Sequence, residues 1–281
     1  VAIYGQERNG QTQSLCRMNM FLHGFDDAKI EWGDTLSNPL FLDNGKLMKF
    51  QVIVLNPPFS LDKWAMGFAG AGDDKNFKME ASLDPHRRFE WGVPPKSKGD
   101  YAFIQHFLHS LAEGGRMGIV LPHGVLFRGA AEGRIRKQIL DMNLLDAVIG
   151  LPANLFFGTG IPACVLLFKK NRTKKDVLFI DASGEGHYEK GTNQNILRES
   201  DIKEIMDAYE KYEDIEKYAH VAKPEEIKEN DFNLNIPRYV DTFEEEEPVD
   251  MDAVKENITN IKKELVEVET KMEKYLGELG L

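Results

Sequence analysis

The chain has 281 residues, 42% of them apolar, enough to bury one substantial core with a smaller appendage. No apolar run approaches the ~18 residues of a membrane span and no signal-peptide pattern opens the sequence, so the reading is a soluble, cytoplasmic protein with no membrane partner. The net charge of −11 argues against strong unaided binding to nucleic acid, but it is uneven: residues 1–198 carry 24 Lys and Arg against 21 Asp and Glu, and residues 199–281 carry 11 against 25.

In chain order, residues 1–5 form an apolar strand that ends at Gln6-Glu7, and a helix follows over 12–23, closed by Gly24. Trp32-Gly33-Asp34 stands where a third strand would end. The run Phe50-Gln51-Val52-Ile53-Val54-Leu55 is a buried strand leading into Asn56-Pro57-Pro58-Phe59. About forty residues rich in Gly, Pro, Asp and Lys come next, with Trp64 and Trp91 among them; a connection of that length is functional or disordered. A helix over 101–113 stops at Gly114-Gly115, followed by a strand over 116–121, a helix over 132–142 and strands over 145–151, 164–169 and 177–181. This alternation predicts an α/β fold, a doubly wound and mostly parallel sheet with helices on both faces, whose ligands sit at the strands' carboxyl ends.

The character changes after residue 198. Residues 199–247 read as an acidic helical appendage and linker, with Ile202, Ile205, Met206 and Tyr209 on one stripe. From Met251 to Leu279 apolar residues recur at alternating steps of three and four, so 248–281 reads as a heptad-repeat helix that needs a partner, a coiled-coil extension. The division is therefore 1–198 as a catalytic domain, then 199–247, then 248–281.

Three places carry candidate chemistry. At the corner, the Asn56 side-chain oxygen and the Pro57 carbonyl can each accept one N–H of an exocyclic amine, while Pro57 and Pro58 fix the backbone and add no competing donor. Two acceptors that draw an aromatic amine toward tetrahedral geometry aim its lone pair at an electrophile, and Phe59 would stack on the base. The same letters also spell a proline turn closing a strand. Glu7, at the end of another strand, has the place of a carboxylate that accepts from both ribose hydroxyls of a nucleoside cofactor, though a turn acid would look alike. Asp34 is placed to accept from an adenine amine or to brace an ordinary turn. Cys16 and Cys164 form no disulfide framework, and no Cys/His cluster has ligand spacing, so no metal is expected.

The strings Tyr4-Gly5-Gln6-Glu7, Leu15-Cys16-Arg17-Met18-Asn19-Met20, Gly33-Asp34-Thr35-Leu36, Asn56-Pro57-Pro58-Phe59 and Gly99-Asp100-Tyr101-Ala102-Phe103-Ile104-Gln105-His106 together resemble the modification subunit of type I restriction-modification systems. So do Gly115-Arg116-Met117-Gly118, Ile149-Gly150-Leu151-Pro152, Gly158-Thr159-Gly160-Ile161 and Asn233-Leu234-Asn235-Ile236-Pro237-Arg238-Tyr239, and the match runs over nearly the whole chain. The resemblance implies an S-adenosylmethionine-dependent N6-adenine DNA methyltransferase. Glu7 then takes the ribose-binding place, Asp34 the adenine-contacting place, and Asn56, Pro57, Pro58 and Phe59 the catalytic place, with Asn56 also bordering the cofactor. It implies DNA as substrate, a specificity subunit bound through the C-terminal helices, and a restriction subunit in the full complex.

One departure stands out. The family's glycine-rich cofactor loop, Asp-Pro-x-x-Gly-x-Gly, precedes the ribose-binding Glu, and no stretch here matches it. Val1 falls inside what should be the second strand, so the expectation is an N-terminally truncated fragment with a gap beside the strand leading to Asn56, binding cofactor poorly and inactive alone. Two other readings stay open: a methyltransferase acting on a protein glutamine amide, where the aromatic is usually Tyr, and a non-catalytic interaction module working through residues 248–281.

Overall fold

In a computed structural model that describes residues 1–242, apart from 73, 75 and 76, together with helix 251–279, the chain alternates strands and helices from its start. Strand β1 (Tyr4–Glu7) leads to helix α1 (Gly10–Leu22), whose first turn is capped by Asn9: its Oδ1 accepts from the backbone N–H groups of Gln11 and Thr12. Strand β2 (Lys29–Trp32) pairs in parallel with β1, and a short hairpin of β3 (Leu42–Asp43) and β4 (Lys46–Leu47) precedes β5 (Phe50–Leu55). Next come α2 (Asp100–Ser110), β6 (Leu111–Pro122), α3 (Gly124–Phe127), α4 (Ala130–Asp141), β7 (Leu145–Gly150), β8 (Ala163–Lys169) and β9 (Val177–Asp181). Helix α5 (Glu199–Lys211), β10 (Ala219–Ala222) and α6 (Pro224–Glu229) follow, and α7 (Met251–Leu279) lies in a second unit, residues 243–281.

The main sheet has the order β10-β9-β7-β8-β6-β5. Strands β5, β6, β7 and β9 run one way, and β8 and β10 run against them. The fold is the expected α/β class, with a mixed sheet: β8 returns antiparallel between β6 and β7, a direction that an apolar run alone does not encode. Residues of β7 and β9 alternate between two cores, as a period of two requires. Val148 and Phe179 face the core that holds Ile104 and Leu108 of α2 and Ile135 of α4; Ala147, Ile149, Leu178 and Ile180 face the one that holds Ala208 of α5. Residues 199–242 belong to the same unit as the sheet, with β10 paired to β9 and the Tyr239 ring stacked on Phe179 at 3.9 Å between centroids. The sequence division at 198 therefore does not mark a break in packing. Residues 243–247 lie outside the described residues, and over 251–279 the heptad region is one continuous helix on which Ile261, Leu265, Val268 and Met272 are exposed.

Two features bear on the site. First, β6 starts at Leu111, inside the stretch read as helix, because Leu111 pairs with Phe50 across an irregular step before Val52 meets Arg116. Second, the connection from 60 to 99 carries its own core of Trp64, Phe68 and Phe89 packed with Leu36 and Ala102, rather than an open loop. Beneath it the fully buried Arg88 guanidinium donates to the Asp84 carboxylate at 2.7 Å and meets His106 Nδ1 at 3.0 Å.

At the edge of the main sheet Val52 and Val54 of β5 are exposed. The Tyr4 ring sits 5.4 Å from that of Phe50, and Glu7 and Asn56 line one cavity, so β1 and β5 run in the same direction. They face each other across a second cavity of ≈ 520 Å³, and among the described residues no strand lies between them.

Candidate active site

The carboxyl ends of β1, β2 and β5 meet at a cavity of ≈ 520 Å³, within the range of small-molecule sites. Its polar lining is Gln6, Glu7, Arg8, Asn9, Asp34, Thr35 and Asn56, and its apolar walls are Leu36, Leu55, Pro57, Pro58, Leu61 and, from α2, Phe103 and Phe107. The structure thus brings Glu7, Asp34 and Asn56 together although 27 and 22 positions separate them.

Each acid is fixed by local backbone. Glu7 Oε1 accepts from the Asn9 amide at 2.7 Å, leaving Oε2 for a ligand. Asp34 closes a turn in which Oδ1 accepts from the amides of Leu36 and Ser37, at 2.9 and 3.1 Å, while Oδ2 lies 3.5 Å from the largely exposed Arg8 guanidinium. Gln6 ties the end of β1 to the segment after the Asp34 turn, donating to the Asn38 carbonyl at 2.8 Å and accepting from the Leu40 amide at 3.0 Å.

At the corner, Pro57 is buried while Asn56 and Pro58 are exposed. Among the described residues the Asn56 carboxamide makes no hydrogen bond, so its oxygen and amide are available to a ligand. Phe59 is half-buried, does not line the cofactor-sized cavity, and lies edge-on to Phe156 at 6.2 Å. Phe156 belongs to the segment after β7, where Phe157 is 89% exposed. Sequence reasoning did not identify Phe156, and the only signal was an aromatic pair beside Gly158. It also missed Arg8, which competes for Asp34, and the cleft-wall role of Phe103 and Phe107, which repeat at a four-residue step on α2.

A buried polar layer backs the corner. The Ser60 amide donates to Asp100 Oδ1 at 2.7 Å, and Arg128 reaches the other carboxylate oxygen at 2.5 Å and Glu132 at 2.6 Å. Burial pushes the Glu132 carboxyl up, against the pull of Arg128. Burial likewise lifts the Tyr101 phenol to about 12, and its hydroxyl donates to the Val125 carbonyl at 2.8 Å. These groups face the protein rather than the cavity. Among the described residues no three His, Cys, Asp or Glu side chains are placed to hold a metal ion.

The residues fit a nucleoside: a carboxylate oxygen at one strand end, a second acceptor at the next, and flat apolar walls between. The N-6 DNA methylase family model matches residues 1–248. The chain is 36% identical over 280 residues to the type I restriction enzyme MjaVII methylase subunit of Methanocaldococcus jannaschii, covering 95% of this chain and 45% of that protein. It is 34% identical over 286 residues to the MpnII methylase subunit of Mycoplasma pneumoniae, covering 99% and 50%. The crystal structure of the type I restriction-modification system methyltransferase subunit from Streptococcus thermophilus superposes with a TM-score of 0.73 at 47% identity, covering 85% of this chain and 48% of that one. The chain spans about half the length of the curated relatives it matches.

Proposed function

Because the chain belongs to the N-6 DNA methylase family, we propose that it forms the catalytic cleft of the modification subunit of a type I restriction-modification complex, transferring a methyl group to the N6 amine of adenine in DNA. The observation that carries this reading is the exposed, unengaged Asn56 at the end of β5, opening on the same cavity as Glu7 and Asp34.

S-adenosylmethionine supplies the methyl group when bound. Glu7 Oε2 would accept from its ribose hydroxyls and Asp34 Oδ2, once Arg8 swings into solvent, from its adenine amine; Leu36, Phe103 and Phe107 would cover the base faces. The target adenine cannot reach a strand end while stacked in a duplex, so it must leave the helix. Asn56 Oδ1 and the Pro57 carbonyl then accept the amine's two N–H bonds, orienting its lone pair without placing charge beside it. Phe59 and Phe156, already in contact, would wall the base slot. Pro57 is buried and Pro58 closes the corner, so the Pro57 carbonyl is held by the backbone, while the exposed Asn56 side chain takes its orientation from the amine it binds.

Helix α7 is proposed as the docking element for the specificity subunit, since its exposed apolar residues follow a heptad step. A restriction subunit would complete the larger assembly. Asn56→Ala in the assembled complex tests the reading: methylation is expected to disappear with assembly and DNA binding intact, and near-normal methylation rejects it.

A further inference from the structure

We infer that Asp100 is a positioning residue for the corner at 56–59, acting through Ser60; the inference rests on the reading of that corner as the amine-binding site. Ser60, the first residue after Phe59, has φ 51°, a left-handed conformation that side-chain-bearing residues adopt at an energetic cost. Such a residue persists when its surroundings hold it. Here the holding group is a carboxylate with no solvent exposure: Asp100 Oδ1 accepts from the Ser60 amide at 2.7 Å, and Oδ2 accepts from the Ser60 hydroxyl at 3.3 Å. A buried carboxylate needs a counter-charge, and Arg128 Nη2 supplies it at 2.5 Å while its Nη1 reaches toward the Ser60 hydroxyl at 3.5 Å.

The next residues are clamped to the same place. The Gly99 amide donates to the Leu61 carbonyl at 3.0 Å, and a Cβ on Gly99 would meet Trp64 Cβ at 2.9 Å. Residues 60–61 are therefore stitched to 99–100, the start of α2, and the same helix presents Phe103 and Phe107 to the cleft. The backbone leaving Phe59 has its direction set by Asp100, so the ring of Phe59 and the Pro57 carbonyl are referred to the helix that walls the cofactor cavity. An acid in the first turn of a helix also stabilises the helix by its charge. That role alone would explain neither the left-handed Ser60 nor a carboxylate turned onto another segment's amide.

The test is single-turnover methylation by the assembled complex carrying Asp100→Asn, with dissociation constants for S-adenosylmethionine and target DNA measured alongside. The asparagine keeps the volume and one acceptor but turns an N–H donor toward Arg128. A displaced corner lowers the methylation rate constant about 10²-fold with both dissociation constants within about twofold of wild type. A rate constant at the wild-type value, or affinities falling in step with the rate, overturns the inference. If Asp100→Asn does not fold, Arg128→Gln, a partly exposed position, carries the same test with the same split expected. Asn56→Ala run in parallel separates the two claims. An active Asn56→Ala sinks the functional reading, whereas an inactive Asn56→Ala beside a fully active Asp100→Asn sinks only this one.

Discussion

Replacing Asp84 by Asn should unlock the segment that follows the corner at 56–59. The Arg88 and Asp84 side chains have no solvent exposure, and one carboxylate receives Arg88 Nε at 3.1 Å, Nη2 at 2.7 Å and the Arg88 amide at 2.5 Å. Burial alone would raise the Asp84 carboxyl, but the bonds and charge of Arg88 outweigh it and hold it below the usual carboxylate range, so the pair is ionised. Removing one member of such a pair leaves a buried charge uncompensated, at about 3–5 kcal/mol. Asparagine keeps one acceptor, which places Asp84→Asn near the lower end, about 3 kcal/mol or about 6–12 °C in melting temperature for a unit of this size. Trp64 packs 5.1 Å from Phe89 and reports the event by fluorescence during thermal unfolding. Adding Arg88→Met removes the stranded cation, and the double variant should recover to within about 1 kcal/mol of wild type. A single-variant loss under about 1 kcal/mol, or two losses that simply add, would refute the reasoning.

Acid should weaken the fold before the carboxylates titrate. Burial, with the Arg88 charge beside it, pushes the His106 imidazole down to about 3, so the folded state refuses a proton that the unfolded chain accepts near the ordinary histidine value of about 6.5. The stabilisation is present above that unfolded value and is lost as pH falls below it, about 2 kcal/mol by pH 5 from His106 alone. His109 and His123, also lowered by burial, add in the same direction. Urea midpoints at pH 7.5 and pH 5 should differ accordingly and the difference should shrink in His106→Gln; equal midpoints for the wild type contradict the assignment. Glu7→Ala in the assembled complex should weaken S-adenosylmethionine binding by about 1.5–3 kcal/mol, the range for hydrogen bonds to a charged group, as read by calorimetry, and an unchanged affinity removes Glu7 from the ribose site.

Much of the site was legible because its parts sit at strand ends, where a short apolar run and the polar letter after it give the position directly. Leu55 to Asn56 is the clearest case, and Gly5 to Glu7 needed only the alternation that followed. Asp34 was legible through its neighbours Gly33 and Thr35 in a resembling string rather than by any period. What the sequence hid depends on contacts across distance. Asp100 carried no signal beyond its place in a resembling string, since its partner Ser60 is 40 positions away. Trp64 and Phe68 stand one helical step apart, but Phe89 lies 21 positions further on, beyond a stretch rich in Gly, Asp and Lys, so a small core built around a buried ion pair looked like loop composition. The start of β6 was masked because Leu111 continues the apolar pattern of α2 while its backbone already pairs with Phe50. The antiparallel course of β8 follows from the chain turning back after β7, which no residue type between 151 and 162 specifies.

In the proposed reaction Asn56 and the Pro57 carbonyl receive the amine of an adenine drawn out of DNA. The most direct measurement is a structure of the assembled complex on its target duplex. The expected result is an extrahelical adenine whose amine nitrogen lies about 3 Å from Asn56 Oδ1, with its ring on Phe59. A target adenine still stacked in the duplex, or one lodged elsewhere while the Asn56 carboxamide faces solvent, would contradict it.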